Sequence, residues 1–272
     1  MKLPLFSNRY VLPWKWRPLM NRVVRTSIHL LIGVCCIAGG FFAYAVLAVP
    51  DVDALREVNP ETTAFIEYRR EQARESGREF VLRQTWTPIA EIPLLVKRTI
   101  IVSEDAAFWV HEGVDWHEME IALRQNLEEN RVVRGASTIT QQTAKNLYLS
   151  PERSYFRKLR EFFIAQELET TLSKTRILEI YLNSIELGDG IFGLGAACRH
   201  FFNKTPAQLS VFEIARLAAI IPRPLRLSPL KASRELRNRT QIVLQRLHKY
   251  KFISAEEYRQ ATAEFGRFFD GG

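Results

Sequence analysis

The chain has 272 residues, 47% of them hydrophobic, enough to bury a real core in one domain or two closely packed lobes. The net charge of +8 is uneven: residues 1–50 hold Lys2, Arg9, Lys15, Arg17, Arg22 and Arg25 and no acid, which leaves +2 for all the rest. The basic balance therefore belongs to the N-terminus and argues against a nucleic-acid-binding main domain. No nucleic-acid partner is expected.

In chain order, residues 1–26 read as a basic cytoplasmic tail. Ser27–Val49 follows with 23 residues and no formal charge, long enough to cross a bilayer as one helix. Six basic residues precede it, and Asp51 and Asp53 follow. The positive-inside rule places the N-terminus in the cytoplasm and the remainder outside, on the inner (cytoplasmic) membrane. A cleaved signal peptide is the rival, because Ala43-Tyr44-Ala45 resembles a cleavage site; the long basic lead and long apolar run favour an anchor. Cys35 and Cys36 lie inside the span. Cys198 is alone in the main domain, which leaves no intradomain disulfide and makes it a small buried apolar residue.

Residues 50–95 read as a loosely helical connector, and residues 96–272 as helix after helix. Thr138-x-x-Gln141, Ser210-x-x-Glu213 and Ser254-x-x-Glu257 are capping-box signals. Ser150-Pro151-Glu152 offers an N-cap, a proline and an early acid, and predicts a helix start there. Phe156–Leu172 and Lys174–Glu186 carry apolar residues at helical spacing. Gly188, Gly190, Gly193 and Gly195 break that pattern, and Pro222 and Pro224 end the helix that holds ARLAAII. Two more helices are expected over Ala232–Tyr250 and Ala255–Phe265. No segment alternates with period two, so the fold class is all-α.

Three constellations carry chemistry. Arg134–Asn146 (RGASTITQQTAKN) packs hydroxyls, amides and Lys145 into one short helix. Such residues bury badly without partners, so the segment predicts a polar, oxygen-rich, anionic ligand. In SEDAAFWVHEGVDW, adjacent Glu104 and Asp105 cannot both face one site on a helix. One suits a general base while its neighbour braces the backbone; a solvated helix start is the plainer reading. His111, Asp115 and His117 match no standard zinc spacing, so no metal site is expected. In FRKLREFFIAQELE, Arg157 and Lys158 share a helix face with Glu161. That is either a surface ion-pair ladder or a cationic patch for phosphate with a carboxylate beside it.

Together these segments resemble a known family. SEDAAFWVHEGVD is similar to E-D-x-x-F-x-x-H-x-G-x-D, GASTITQQTAKN to G-x-S-T-I-T-Q-Q-x-x-K-N, and RKLRE to R-K-x-x-E. KTRILEIYLNSIELGDGIFGLGAA and LSVFEIARLAAIIPRP resemble the family's two closing patterns. These are the five motifs of the peptidoglycan glycosyltransferases, the transglycosylase domain also found in class A penicillin-binding proteins. They occur in order over roughly residues 96–229.

The resemblance implies a two-lobed, lysozyme-like helical domain behind the membrane helix. It implies an enzyme of cell wall biosynthesis that polymerises lipid II into glycan strands, inverting the anomeric centre and releasing undecaprenyl pyrophosphate. Glu104 matches the general base and Glu161 the second carboxylate, which donates, orients or pairs with Arg157. Asp105, Phe108 and His111 match residues that shape the clefts. Thr138, Gln142 and Lys145 match ligand-holding residues, with Ser137, Gln141 and Asn146 beside them. Lys145, Arg157 and Lys158 would neutralise the pyrophosphate, and Tyr181 and Asn183 would line or support the site. No organic cofactor is implied; dependence on a divalent cation, Mg2+ or Mn2+, stays open. Lipid II, the growing strand and the membrane are the implied partners. No transpeptidase module is expected in the remaining residues, so cross-linking falls to transpeptidase-bearing synthases or division proteins.

Two positions depart from the family. Ile121 stands where relatives carry a basic residue, for which Arg124 is a substitute on a similar face. Gly195 stands where relatives often carry Glu. The family's membrane-dipping jaw falls on 116–134, which is rather polar here and leaves the depth of the jaw open. A lysozyme-like lytic transglycosylase or hydrolase, and a non-enzymatic scaffold of cell-wall assembly, are the rival readings.

Overall fold

The computed structural model describes residues 17–131, 135–152 and 154–271. Most of the basic tail, with Lys2, Arg9 and Lys15, lies outside the described residues, as does Arg134. The chain forms two compact units, Met1–Ala48 and Val49–Gly272. The described part of the first is one helix, α1 (Arg17–Leu47), within which Val24–Leu47 is long and apolar enough to cross a membrane. The 50–95 connector belongs to the second unit and is woven into it.

That unit is helical: α2 (Ala64–Glu75), α3 (Leu94–Glu104), α4 (Trp116–Glu128), α5 (Ile139–Tyr148), α6 (Tyr155–Thr171), α7 (Lys174–Ser184), α8 (Leu194–Phe202), α9 (Val211–Ile220), α10 (Arg234–Lys249) and α11 (Ala255–Asp270). Its apolar core falls into two main clusters. The larger centres on α7, whose Ile177, Leu178, Ile180, Tyr181 and Leu182 are fully buried. The second joins Phe212 and Ala215 of α9 to Val243, Leu244 and Leu247 of α10 and to Phe265 of α11. Val102, near the end of α3, reaches into this second cluster.

Local chemistry sets the helix starts. Thr138, Ser210 and Ser254 form the capping boxes the sequence predicts. Ser150-Pro151-Glu152 does not start a helix; the Ser154 hydroxyl accepts from Arg157 N at 3.0 Å, so the cap lies four residues later. A hydroxyl three residues ahead of a free N–H outweighs the proline signal.

The all-α expectation holds for most of the unit, but three short strands join it: β1 (Arg83–Gln84), β2 (Glu186–Gly188) and β3 (Ile191–Phe192), in the order β1-β3-β2. β1 runs parallel to β3, and β2 antiparallel. The glycine-rich stretch after α7 makes this possible. Gly190 has φ +69°, and a Cβ there would meet the Val81 carbonyl at 2.3 Å. A Cβ on Gly195 would meet the Thr87 hydroxyl at 2.2 Å, so a larger residue there would require a shift. A bidentate Arg69–Glu186 ion pair, 2.7 and 2.8 Å, ties α2 to β2 with both side chains largely buried.

Candidate active site

The polar helix α5 packs against α2, α6 and α7, and much of its polarity is satisfied inside the protein. The Thr138 hydroxyl donates to Gly113 O at 2.6 Å and accepts from Gln141 N at 3.1 Å. Gln141 returns the contact to Thr138 N at 3.2 Å. Thr140 donates to Glu169, which also pairs with Lys174 at 2.7 Å, and Thr143 donates to Ile139 O. Thr138, Gln141, Thr140 and Thr143 therefore build the helix and its seat. The residues of this segment that line clefts are Gln142, Lys145 and Asn146, with Ser137 and Thr138 at the helix start.

Glu104 ends α3 and meets this face. The Gln142 amide donates to the Glu104 carboxylate at 2.9 Å, and the Tyr181 hydroxyl donates to the Gln142 carbonyl at 3.3 Å. Burial pushes the Glu104 carboxyl above the ordinary glutamate range; the Gln142 bond and the charges of Arg239 and Lys145 act in the opposite sense. Burial likewise pushes the Lys145 ammonium below the ordinary lysine range, with Glu161 opposing and Arg157 reinforcing the shift. Tyr181 is fully buried and its phenol is held well above the ordinary range by desolvation, so it stays a neutral donor.

Asp105 lines the same cleft as Glu104, but its carboxylate is held by other partners. Its side chain accepts from the His111 ring Nε2, 3.0 Å from both oxygens, and from Ile139 N at 2.9 Å. This carboxylate fixes the N-terminus of α5. Phe108 is fully buried beneath Lys174, whose ammonium lies 4.7 Å from its ring centre. Phe108 packs edge-on to His111, the partner of Asp105, and neither lines the clefts described below. Glu161 is also buried: Arg157 Nη1 donates to it at 2.6 Å and Lys158 Nζ pairs with its other oxygen. Lys158 also reaches Ser137 Oγ at 3.1 Å. The i,i+3 and i,i+4 pattern is therefore a carboxylate holding two cations, and Glu161 has neither oxygen free of them.

Of the two roles expected for Asn183, lining or supporting the site, its contacts leave the second. It is fully buried, accepts from Thr87 N at 2.7 Å and donates to Thr87 O and Glu179 O. An amide with these partners supports the connector and is closed to a ligand. His111, Asp115 and His117 hold no common centre: Asp115 caps α4, His111 serves Asp105, and His117 is exposed. Among the described residues no group of three or more His, Cys, Asp or Glu is arranged to hold a metal. Cys198 is buried and its thiol is pushed up to about 12 by desolvation, as suits a packing residue. Arg124 pairs with Glu120 at 2.9 Å on the exposed face of α4.

Two clefts flank the Glu104–Gln142 pair. One, of about 440 Å³, is lined by Glu104, Ser137 and Thr138 together with Arg246, Lys249 and Tyr250 from the end of α10. The other, of about 460 Å³, is lined by Gln142, Lys145 and Asn146 with Phe65 and Arg69 of α2 and with Arg223 and Arg226. Sequence reasoning missed the α2 and α10 residues. The helical spacing of Arg239, Arg246 and Tyr250 is the one local signal that places them on a common face.

α4 also differs from expectation. Counting its acids hid an apolar stripe, because Trp116, Met119, Leu123 and Leu127 recur at helical spacing and are all exposed. Trp109 and Val110 are exposed as well, the latter at 84%.

Residues 72–248 match the pattern that defines the family described as Transglycosylase. The chain is 44% identical over 190 residues to the biosynthetic peptidoglycan transglycosylase of Dechloromonas aromatica, covering 70% of this chain and 82% of that one. It is 40% identical to the protein of the same name from Neisseria meningitidis, over 84% of this chain and 95% of the relative. The crystal structure of penicillin-binding protein 1A from Haemophilus influenzae aligns with 66% of this chain and 17% of its own, at 21% identity and a TM-score of 0.38. With the matched pattern spanning more than half of its length, the chain belongs to the transglycosylase family, among the biosynthetic peptidoglycan transglycosylases.

Proposed function

We propose that the protein polymerises lipid II with Glu104 as general base and with Lys145, Arg157 and Lys158 as the cationic group that receives the leaving pyrophosphate. The observation that carries this reading is the Gln142 bridge. It ties the carboxylate with a raised pKa to the helix that bears Lys145. A raised pKa brings proton abstraction nearer neutral pH.

In the reaction, Glu104 takes the proton from the acceptor's sugar 4-hydroxyl. That oxygen forms a bond to the donor's anomeric carbon, and the bond from this carbon to the pyrophosphate oxygen breaks. Undecaprenyl pyrophosphate leaves with the electron pair, and the configuration inverts. Preorganised cations at the developing charge are the largest source of rate in such chemistry. Lys145 is partly desolvated, so an arriving anion restores what burial takes from its ammonium. Glu161 acts here by holding Arg157 and Lys158 in place.

The apolar span Val24–Leu47 anchors the enzyme in the cytoplasmic membrane, N-terminus inside, with the second unit on the outer side where a polyprenyl-linked substrate resides. The stripe on α4 rests on that membrane surface. Cross-linking of the product falls to transpeptidase-bearing partners. A hydrolase has no use for three cations about a buried carboxylate, which sets the transferase reading above the lysozyme-like one.

The test is polymerisation of labelled lipid II by the purified full chain. Glycan strands and released undecaprenyl pyrophosphate are expected from the parent, and neither from Glu104→Gln. Normal polymerisation by Glu104→Gln overturns the base assignment, and cleavage of finished glycan without lipid II turnover favours the hydrolase.

A further inference from the structure

Helix α3 ends at Glu104, so its last carbonyls are without intrahelical donors. Ile101 O accepts from Asp105 N at 2.7 Å. The next two, Val102 O and Ser103 O, accept from one nitrogen of Arg246, Nη1, at 3.0 and 3.3 Å. Arg246 lies in the last turn of α10, more than 140 residues along the chain and outside the five motifs. Its half-buried side chain runs along the wall of the cleft that holds Glu104.

We propose that Arg246 is a positioning residue for the reaction: it caps the C-terminal end of α3 and thereby sets the place of the Glu104 carboxylate.

The physical grounds are two. A guanidinium at a helix C-terminus satisfies orphan carbonyls and opposes the negative end of the helix dipole. The carbonyls it holds are those of the two residues immediately before the base, so little chain is left to absorb a displacement. The apolar side of the same contact is independent, because Val102 packs with Val243, Leu244 and Leu247 in the second core cluster. Loss of the guanidinium therefore leaves α3 and α10 packed while freeing the last turn of α3. A small misplacement of a catalytic group is enough to cost about 10²-fold in rate.

The groups that face Glu104 are Arg239 of α10, Gln142 and Lys145 of α5, Asp105 beside it and Tyr181 of α7, with Glu118 and Lys249 on the same cleft wall. None of these is altered by substituting Arg246. Without the cation, the partial negative charge of the exposed carbonyls acts on Glu104 and makes its carboxyl harder to ionise. The acidic limb of the rate profile then moves to higher pH.

The inference rests on Glu104 as the base, and its test separates the two. Full-length Arg246→Ala, Arg246→Lys and Glu104→Gln are compared in lipid II polymerisation from pH 5 to 9, with thermal unfolding of each. Arg246→Ala is expected to lower kcat by about 10- to 100-fold with KM changed less than about twofold, and to shift the acidic limb upward. Arg246→Lys recovers part of both. A folded Arg246→Ala with parental kcat and pH profile overturns the inference while leaving the base assignment intact. So does a loss of activity that follows unfolding alone. An active Glu104→Gln instead overturns the base assignment.

Discussion

Gln142 bridges two groups of opposite purpose: its amide donates to the Glu104 carboxylate at 2.9 Å while its carbonyl accepts from the buried Tyr181 hydroxyl at 3.3 Å. The tyrosine fixes which end of the amide faces the glutamate. A neutral phenol can only donate here if it is to satisfy that carbonyl, so the Gln142 nitrogen is turned toward the carboxylate. The charged form of Glu104 is thereby favoured against the burial that disfavours it.

The first prediction concerns pH. Burial raises the Glu104 pKa, and the Gln142 bond lowers it. Gln142→Met removes the lowering influence, so the pKa rises further and less base is ionised at neutral pH. The acidic limb of kcat/KM is expected to move upward, by about one unit if the bond is worth about 1.4 kcal/mol. Tyr181→Phe is expected to do the same more weakly. A profile unchanged in Gln142→Met would remove Gln142 from the electrostatics of the site.

Lys145 gives the opposite limb. Its ammonium is held below the ordinary lysine range, mainly by burial. Activity that needs the cation is therefore lost, as pH rises, at a lower pH than an exposed lysine would allow. Lys145→Ala is expected to lower kcat by about 10²–10³, the cost typical of one lost charge-stabilising donor. Lys145→Arg keeps a charge that does not titrate, so its basic limb should flatten. An unaltered basic limb in Lys145→Arg would assign that limb to another group.

Arg216 yields a prediction about stability alone. It is buried on α9, donates to Pro229 O at 2.7 Å, and lies 4.4 Å from the ring centres of both Phe212 and Phe268. Desolvation lowers its pKa, yet an arginine stays charged, so the rings and the carbonyl must compensate the burial. Arg216→Ala leaves a hole and an unpaired carbonyl where α9 meets α11. A loss of about 2–4 kcal/mol is expected, read as a lower urea midpoint with unchanged slope. A midpoint within error of the parent would show the contacts to be idle.

Such contacts mark the limit of what the sequence alone reveals. The capping boxes at Thr138, Ser210 and Ser254 were legible because cap and partner are three residues apart. The Arg157–Lys158–Glu161 group was legible for the same reason. β1 and β3 were not: a strand of two residues has no period to read, and its pairing crosses more than 100 positions. Arg246 and Phe65 reach the clefts from helices whose own patterns report only their buried faces. On α4 the fault was in counting polar residues where their spacing carried the information.

Gly195 tests how the connector is seated. The Thr87 hydroxyl occupies the place of a Cβ at 195, with the Thr85 carbonyl 3.2 Å from the same point. Gly195→Ala is expected to destabilise the unit by about 1–3 kcal/mol. Thr87→Ala removes the closest atom, so the double variant should be less destabilised than the two single effects added. Additivity within about 0.3–0.5 kcal/mol would show that the clash is relieved elsewhere.

The last prediction takes the stripe on α4 to the membrane. Trp116, Met119, Leu123 and Leu127 are exposed on one face, and Trp109 and Val110 are exposed in the segment before it. A monomeric protein rarely leaves such a group of large apolar side chains in water. Arg124 and Glu120 are paired and exposed on the same helix, so the stripe is bordered by charge, as on an interfacial helix. Leu123→Asp with Leu127→Asp is expected to weaken binding of the full chain to lipid vesicles after the α1 contribution is matched by the parent as control. KM for lipid II presented in vesicles should rise, while turnover of a short-chain, water-soluble analogue stays near parental. The analogue separates the two causes, since damage to the catalytic residues would lower both rates. Equal losses on both substrates would assign the stripe to the fold or to the cleft and remove it from the membrane surface.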